Sequence, residues 1–425
     1  MNLSHLPCDR RGFLRCTAAA SAVSASGWLP ALAHAAAAQR GKKSCVLVWL
    51  EGGLSQLESF DMKKKYSMFE PIESSVPGIQ VCDKLPNVAK LMHHAAVIRS
   101  MSTPENEHVR ARYHTHTGVR PVPGQVYPSL GSMVAMELGD PDSAIPNYVV
   151  IRGKGRGGTG SGSGFLGPKY QPLKIDDIKN GIENLTPPGG MQQFDRRLNL
   201  LEEVEAGFYK TLPAKSAFAH LTTLRRASTM MHSKESKAYD LDLEPAKARE
   251  AYAGRYGDSF LMARRLIEVG VPFVELSLPE WDNHSGCGLH KENLPPLDIG
   301  LSALIKDLED RGLLDTTLVI LMSEFGRGGP ARVGTGHKED RGHWHKAWTT
   351  VFFGGGIRGG QIIGKTDETA GIVEERMVNI ADYFATICKI LGVDYMKENI
   401  DPGGRPVPIV VDAQLSPPKV INEIL

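Results

Sequence analysis

The chain has 425 residues, of which 41% are hydrophobic and 23% charged, a composition typical of a soluble globular protein with an apolar core. Its formal net charge of +1 provides no electrostatic argument for binding nucleic acid or an anionic membrane. A chain of this length can form two or three domains, or one large α/β domain.

The first 38 residues resemble a twin-arginine export signal and are not expected to be part of the fold. Arg10 and Arg11 are followed by an alanine- and serine-rich stretch and by a small-residue cleavage pattern at 33–35. The apolar stretch is too short and polar to span a bilayer stably, and no later segment is long and apolar enough to do so. The sequence therefore predicts a mature chain without a transmembrane segment, exported by the twin-arginine machinery and located in the periplasm or secreted.

Apolar runs recur along the remaining chain and predict the strands of a central sheet. Nearly continuous apolar runs are typical of strands that are buried on both faces. Amphipathic patterns that end at glycine predict helices between them. This alternation indicates an open α/β sheet with helices on both faces. The predicted strands are 44–50, 95–100, 147–153, 271–278, 316–324 and 349–356, and the predicted helices are 256–270, 295–312 and 377–392.

Two segments interrupt this alternation. Residues around 195–255 have the pattern of charged helices, so we expect an insertion there within a single domain spanning 39–425. A G-x-G-x-x-G match at Gly153, Gly155 and Gly158 follows a strand, but further glycines and a proline prevent a helix from starting after it. Without a helix N-terminus to receive phosphate, the segment is interpreted as a surface loop and not as a dinucleotide site.

Three histidine-containing segments each follow a predicted strand. In α/β sheets, the loops after the carboxyl ends of the strands converge on one crevice. Imidazole and carboxylate groups together suit zinc, manganese or a similar divalent ion. The sequence therefore predicts a metal site built from distant segments. The candidate residues are His108, His114 and His116, then Asp282, His284 and His290, and finally Glu324, His337, Asp340, His343 and His345.

Each segment also has a structural interpretation. Asp282 and His284 alternate on an extended chain and can face the same way, but an Asp-x-His pair alone is a weak signal. Glu324 ends an apolar strand, where Arg327 is available to neutralise it in an ion pair. His343 can equally lie on a surface loop.

Several longer motifs resemble an exported bacterial family called domain of unknown function 1501. They are "VLVWLEGGLSQLESFDMK", "RRLIEVGVPFVELSLPEWDNH", "EFGR", "DRGHW" and "GGGIRGGQIIGKTD", and the likeness covers nearly the whole chain. That family is similar in turn to the alkaline phosphatase and sulfatase superfamily. The resemblance implies an alkaline-phosphatase-like α/β fold, a three-layer sandwich with a large, mostly parallel central sheet, and one or two metals at the strand ends.

The same resemblance implies roles for single residues. Sulfatases have a strand ending in Ser-Asp-His-Gly, and here Glu324 stands at the aspartate and Phe325 at the histidine. Arg112 is in register with the arginine of the sulfatase nucleophile segment, and His108 stands where its cysteine or serine would be. Formylglycine chemistry is therefore excluded at position 108, and one metal ligand is lost at position 325.

A single-metal centre remains chemically sufficient. Its predicted ligands are Asp282, His284, Glu324 and His343, holding zinc, manganese or calcium. Glu324 and His343 are expected to reach the ion from the two ends of one glycine-rich loop. The predicted catalytic residues are His108, as a metal ligand, nucleophile or base, and Arg112 and Arg327, which would hold the anionic group.

Two functions follow from this pattern. The retained carboxylates and imidazoles favour a metal-dependent hydrolase of phosphate or sulfate esters, acting on a small-molecule or polysaccharide substrate. The departures at His108 and Phe325 favour a non-catalytic protein that binds carbohydrate or anions on a decayed sulfatase-like fold.

Overall fold

The computed structural model describes residues 41–152, 162–179, 181–182, 185–209, 215–284, 288–328, 341–411 and 417–425. The predicted export signal, the glycine-rich match, His337 and Asp340 lie outside the described residues. In the part of the chain that the structure describes, no helix combines the length and the apolar character needed to cross a membrane.

Eight strands of the described residues form one mixed sheet in the order β8-β2-β7-β6-β1-β5-β3-β4. Strand β7 runs antiparallel to both of its neighbours, and the other adjacent pairs are parallel. The mostly parallel sheet is thus confirmed. The strands are β1 Ser44–Leu50, β2 Ala95–Met101, β3 Tyr148–Arg152, β4 Leu173–Ile175, β5 Phe273–Leu278, β6 Thr317–Ser323, β7 Trp348–Gly354 and β8 Gln361–Ile363.

All six predicted strands are present within a few residues of their expected ends. The edge strands β4 and β8 were not predicted, because three residues are too few to show a periodic pattern. Short antiparallel ladders pair Pro71–Glu73 with Gln80–Cys82, Gly326–Arg327 with His343–Trp344, Lys365–Thr366 with Val373–Glu375, and Glu398–Ile400 with Pro406–Pro408.

The sheet has an apolar core on each face. Side chains alternate along a strand, so Val46 and Val48 of β1 enter one core, whereas Cys45 and Leu47 enter the other. All seven residues of β1 are buried, because helices cover both faces. This arrangement explains why the strands are mostly apolar, and it makes the expected three-layer sandwich the observed one.

Nine α-helices occur in the described residues. Helices α7 and α8 pack on the first core, and α3 and α9 on the second. The helix predicted from Pro295 begins at Gly288 instead, because buried residues such as Leu294 extend the packed helix through the prolines. The helices are α1 Pro86–Ala89, α2 His108–Thr117, α3 Leu130–Leu138, α4 Met191–Tyr209, α5 Lys215–His232, α6 Ala246–Ala251, α7 Gly257–Glu268, α8 Gly288–Asp310 and α9 Ile380–Leu391.

The sheet register places the ends of three neighbouring strands together. Leu50, the last residue of β1, is opposite Leu278 of β5 on one side and Ser323 of β6 on the other. The segments that follow these residues therefore leave the sheet at one edge. Asp282, His284 and Glu324 all lie just beyond these strand ends.

Candidate metal centre

His108 is the first residue of α2, and a side-chain cap fixes where that helix begins. The carboxylate of Glu107 accepts hydrogen bonds from the backbone N–H groups of Val109 and Arg110, at 3.1 and 3.0 Å. Such capping satisfies N–H groups that have no partner within the helix. The helix ends at Gly118, whose positive φ of 77° suits a glycine C-cap. His108 thus projects from a defined helix start.

Asp282 and His284 lie in the loop after β5, held against the first turn after β1. The backbone N–H of Trp281 donates to the carbonyl of Glu51 at 3.0 Å. Gly52 has a φ of 118°, and a Cβ there would lie 2.2 Å from the backbone nitrogen of Asp282. Only glycine permits this close approach of the two segments.

His343 is positioned by the short ladder in which it pairs with Arg327. This pairing returns the chain to the end of β6, as expected, although residues 329–340 of the intervening loop are not described. The imidazole Nδ1 of His343 donates to the carbonyl oxygen of Asn106 at 2.8 Å. Phe325 stacks on the His343 ring with centroids 4.6 Å apart. The phenyl ring therefore supports the imidazole.

These segments bring four potential ligands together: His108, Asp282, His284 and His343 each offer one atom, and the four atoms lie within 4.8 Å of one another. Asp282 is central to the group. Its Oδ1 lies 2.9 Å from Nε2 of His284 and 3.8 Å from Nε2 of His343, and its Oδ2 lies 3.3 Å from Nε2 of His108. Three imidazoles and a carboxylate form a donor set that suits zinc.

Two of the imidazoles expose an unpartnered nitrogen to this group. Nε2 of His108 and Nε2 of His343 are both buried, and neither has a hydrogen-bond partner among the described residues. A carbonyl oxygen can only accept, so Nδ1 of His343 must carry the proton, and in the neutral ring Nε2 is a bare acceptor. The carboxylate of Glu324 places the proton of His108 on Nδ1 in the same way. Both lone pairs therefore point where a cation would be bound.

Burial and charge act differently on these groups. Burial lowers the pKa of His343, which favours the neutral ring needed for metal binding. Burial also acts to lower the pKa of His108, but the hydrogen bond and negative charge of Glu324 outweigh it and raise the pKa. Burial acts to raise the pKa of Asp282, but the hydrogen bond and charge of Arg327 reverse this and lower it. Asp282 therefore stays ionised.

Glu324 lies behind His108 and is not one of the four grouped residues, so its role as a ligand stays a prediction. Its fully buried carboxylate accepts from the backbone N–H of Gly52 at 3.0 and 3.1 Å and contacts Nδ1 of His108 at 2.8 Å. A carboxylate on the far nitrogen of a ligating histidine fixes the tautomer and the ring orientation. In this geometry Glu324 reaches the group through His108.

The two arginines differ in accessibility. Arg327 is fully buried, and its guanidinium contacts Asp282 and donates to the carbonyl oxygen of Gly52. It thus pairs with Asp282 instead of forming the alternative ion pair with Glu324. Arg112 has a side chain that is 14% exposed, with Nη2 4.0 Å from Oε1 of Glu324. Of the two, Arg112 is better placed to meet an anionic ligand.

Among the described residues, the other candidate histidines lie apart from the group. His290 accepts a hydrogen bond from the backbone N–H of Ser55 through Nε2, at 3.0 Å, so its lone pair is already used. His116 contacts Glu275 within the second core. The carbonyl of Asn106 and the close approach at Gly52 were missed from the sequence, because backbone contacts leave no residue-type signal.

The sequence profile of the family described as "Protein of unknown function (DUF1501)" matches residues 42–425, so the chain belongs to that family. No curated protein matches the sequence.

Several solved structures are similar at low identity. A sulfatase from Pseudoalteromonas sp. is 14% identical, with a TM-score of 0.40, over 89% of this chain and 72% of that one. A protein in the alkaline phosphatase superfamily from Vibrio parahaemolyticus is 14% identical, with a TM-score of 0.39, over 83% and 67%. A phosphonate monoester hydrolase from Silicibacter pomeroyi is 11% identical, with a TM-score of 0.36, over 83% and 74%.

Proposed function

We propose that this member of the DUF1501 family is an exported, metal-dependent hydrolase of phosphate or sulfate esters with a single-metal centre. The observation that carries the proposal is the pair of buried, unpartnered Nε2 atoms on His108 and His343, which face the carboxylate of Asp282. Buried polar atoms normally have partners. A divalent cation is the partner that two bare imidazole nitrogens and a carboxylate would share.

The residues proposed to hold this cation are His108, Asp282, His284 and His343. Calcium prefers sites made of oxygen ligands, so three imidazoles favour zinc or manganese. When bound, such an ion supplies Lewis-acid polarisation of a phosphoryl or sulfuryl oxygen. Asp282 and His284 are about half exposed, whereas His108 and His343 are mostly buried. The centre is therefore open to substrate on the side of Asp282 and His284.

The surrounding residues have separate tasks in this proposal. Arg112 binds the anionic ester group, since a guanidinium fork matches the oxygens of phosphate and sulfate. Glu324 holds the proton of His108 on Nδ1, and Arg327 holds Asp282 ionised and in place. His108 serves as a ligand and not as a nucleophile, because its Nε2 is directed at Asp282.

Export is part of the same proposal and is supported by the sequence of the first 38 residues. Replacing Arg10 and Arg11 with lysines is expected to keep the protein in the cytoplasm, because the twin arginine is the feature that the export receptor reads. Cell fractionation measures where the variant is located. If the variant were exported as the wild type is, the twin-arginine route would be excluded.

The alternative function is a non-catalytic protein that binds carbohydrate or anions. It is favoured by Phe325, which stands where the resemblance to sulfatases implies a metal ligand and which packs against His343. The two functions differ in turnover, since a binding protein can hold a metal and an anion without cleaving an ester.

The test combines metal content with turnover. The purified protein is loaded with Zn²⁺ or Mn²⁺ and assayed on an aryl phosphate and an aryl sulfate. His343→Ala is the test variant, and His232→Ala, at an exposed histidine near Asp195, is the control. We expect one equivalent of metal and measurable hydrolysis in the wild type and the control, and neither in His343→Ala. Metal binding without turnover would support the alternative, and absence of stoichiometric metal would overturn the metal-dependent hydrolase.

A further inference from the structure

Helix α2 presents both His108 and Arg112, yet it has few apolar side chains to fix its orientation. Its sequence is HVRARYHTHT, and its one large aliphatic residue, Val109, is 72% exposed. Helices normally owe their orientation to an apolar stripe buried against the core. In α2 the buried side chains are instead mostly polar, so hydrophobic burial holds the helix in place only weakly. The buried residues are Ala111, His114, Thr115, His116 and Thr117.

One polar cluster joins α2 to the middle of the sheet. Nε2 of His116 lies 3.3 Å from Oε1 of Glu275 on β5, and the hydroxyl of Tyr148 on β3 donates to Oε2 of the same carboxylate at 2.5 Å. The exposures of His116, Glu275 and Tyr148 are 3%, 0% and 2%. The His116 ring also packs against Trp49 of β1, with centroids 4.2 Å apart. The cluster therefore connects the helix to three adjacent strands.

The pair formed by His116 and Glu275 has no net charge. Nδ1 of His116 faces the carbonyl oxygen of Arg112 at 2.9 Å, so it carries a proton. The contact between Nε2 and Glu275 then needs one shared proton. The pair is either imidazolium with carboxylate or imidazole with carboxylic acid, and in both forms it has no net charge. This neutrality makes its burial tolerable, because an isolated buried charge is strongly unfavourable.

The position of Glu275 is otherwise an apolar one. Its neighbours in register are Leu47 on β1 and Val150 on β3. Well-packed hydrophobic residues are often as stabilising as a buried ion pair, or more so. Stability alone therefore does not explain a carboxylate here. A directional contact does what an apolar residue cannot, since it fixes both the rotation of α2 and its position along the axis.

The spacing along α2 connects this contact to the candidate metal centre. His108, Arg112 and His116 are four residues apart in turn, so they lie on one face of the helix. His116 is about 12 Å from His108 along the axis, at about 1.5 Å per residue. A rotation of α2 at His116 would carry the imidazole of His108 away from Asp282.

We propose that His116, Glu275 and Tyr148 are positioning residues, an anchor that fixes the rotation of α2 so that Nε2 of His108 faces Asp282. The inference rests on the proposed function, since it assigns the anchor to the metal centre. None of the three residues belongs to the group that would hold the metal, so the anchor acts only through the helix.

The test compares two substitutions at position 275 in the full chain. Glu275→Leu removes the contacts to His116 and Tyr148, whereas Glu275→Gln can still donate to Nε2 of His116 and accept from Tyr148. Tyr148→Phe is a milder variant that leaves His116 paired. Leu304→Ala, in α8 on the other face of the sheet, is a control that destabilises the fold without touching α2. The readouts are the dissociation constant for Zn²⁺ and amide hydrogen exchange.

We expect Glu275→Leu to weaken Zn²⁺ binding about tenfold or more, in the range of other orienting residues of metal sites. Exchange should rise in α2 and stay unchanged in α9. Glu275→Gln should bind nearly as the wild type does, and Leu304→Ala should lose stability without losing affinity. Equal affinity of Glu275→Leu and Glu275→Gln would overturn the anchor and leave the proposed function intact. No Zn²⁺ binding by the wild type would instead overturn the proposed function, and hydrogen exchange would still show whether the anchor holds α2.

Discussion

Two buried polar regions of the molecule satisfy their charged groups in different ways. The arginine network is made of three arginines and three carboxylates on or near α7 and α8, so its formal charges cancel. Arg264 contacts carboxylates on three sides, at 2.7, 2.5 and 2.9 Å. The members are Glu244, Arg264, Arg265, Glu268, Asp307 and Arg311.

The candidate metal centre is also polar, but its groups do not complete one another. When their rings are neutral, the imidazoles of His108 and His343 direct lone pairs toward the carboxylate of Asp282, which is also an acceptor. Acceptors that face each other without a proton between them repel. Both regions bury charged or polar groups, so burial alone does not distinguish them. In the arginine network each guanidinium faces carboxylates of opposite charge, whereas in the histidine group two imidazole nitrogens and a carboxylate face a point where a cation would be bound.

The largest effect should come from breaking the arginine network. Arg264→Leu leaves three carboxylates without their shared partner, and removing one member of a buried ion pair lowers the free energy of unfolding by about 3–5 kcal/mol. Urea unfolding measures this change. Lys397→Ala, which breaks an exposed pair with Glu137, should change stability by less than about 1 kcal/mol. Zn²⁺ affinity of the folded protein should be unchanged in both, and a loss of affinity in Arg264→Leu would show that the regions are coupled.

A second prediction concerns His290, a buried histidine whose lone pair is already used. Burial lowers its pKa from 6.5 to about 4. As pH falls from about 6.5 to 4, the unfolded chain binds a proton that the folded chain does not, so His290 makes folding less favourable by up to about 3 kcal/mol. This loss is absent above pH 6.5.

His290→Gln retains an acceptor for the backbone N–H of Ser55 and cannot titrate in this range. Urea unfolding at pH 7 and pH 5 should show a smaller loss of stability on acidification for His290→Gln than for the wild type. The exposed His232→Gln should not make this loss smaller, because its hydrogen bond to the carbonyl of Ser228 raises the pKa of His232 in the folded protein. If the slope of His290→Gln equalled that of the wild type, the acid sensitivity would lie elsewhere.

The smallest expected effect concerns Glu324, which acts on the histidine group from behind. In Glu324→Gln the amide oxygen can still accept from Gly52, and the amide nitrogen then donates to Nδ1 of His108. The imidazole proton moves to Nε2, which can no longer bind a cation. Zn²⁺ affinity should fall about 10- to 100-fold, as for other residues behind a metal ligand.

Nitrogen NMR of the His108 ring should show the exchanged tautomer in Glu324→Gln. Glu309→Gln, at a half-exposed carboxylate that contacts His94, is the control and should leave affinity unchanged. If Glu324→Gln bound Zn²⁺ with wild-type affinity, Glu324 would have no role in orienting His108 for metal binding.

Much of the fold was predictable because it depends on local patterns. The strand 44–50 is apolar from Cys45 to Leu50 and is buried at every position, and the helix that ends at Gly392 has a clear amphipathic stripe. The family likeness was equally readable from motifs such as "EFGR" and "DRGHW", and the family profile confirms it. The sequence also indicated that Asp282, His284 and His343 follow strand ends, and the structure brings these three residues together.

What the sequence could not decide was which side chain faces inward at the centre. His108 and Glu324 are 216 positions apart, and both are reasonable ligands by residue type. Which of the two side chains lies nearer to Asp282 depends on where α2 packs on the sheet. The contacts of His116 with Glu275 and Trp49 contribute to that packing. The sequence by itself determined the strands, the family and the supply of imidazoles and carboxylates, because these are properties of short segments. Only the tertiary structure placed His108 in the group and Glu324 behind it, because a side chain's orientation across such a distance is set by the packing of entire elements.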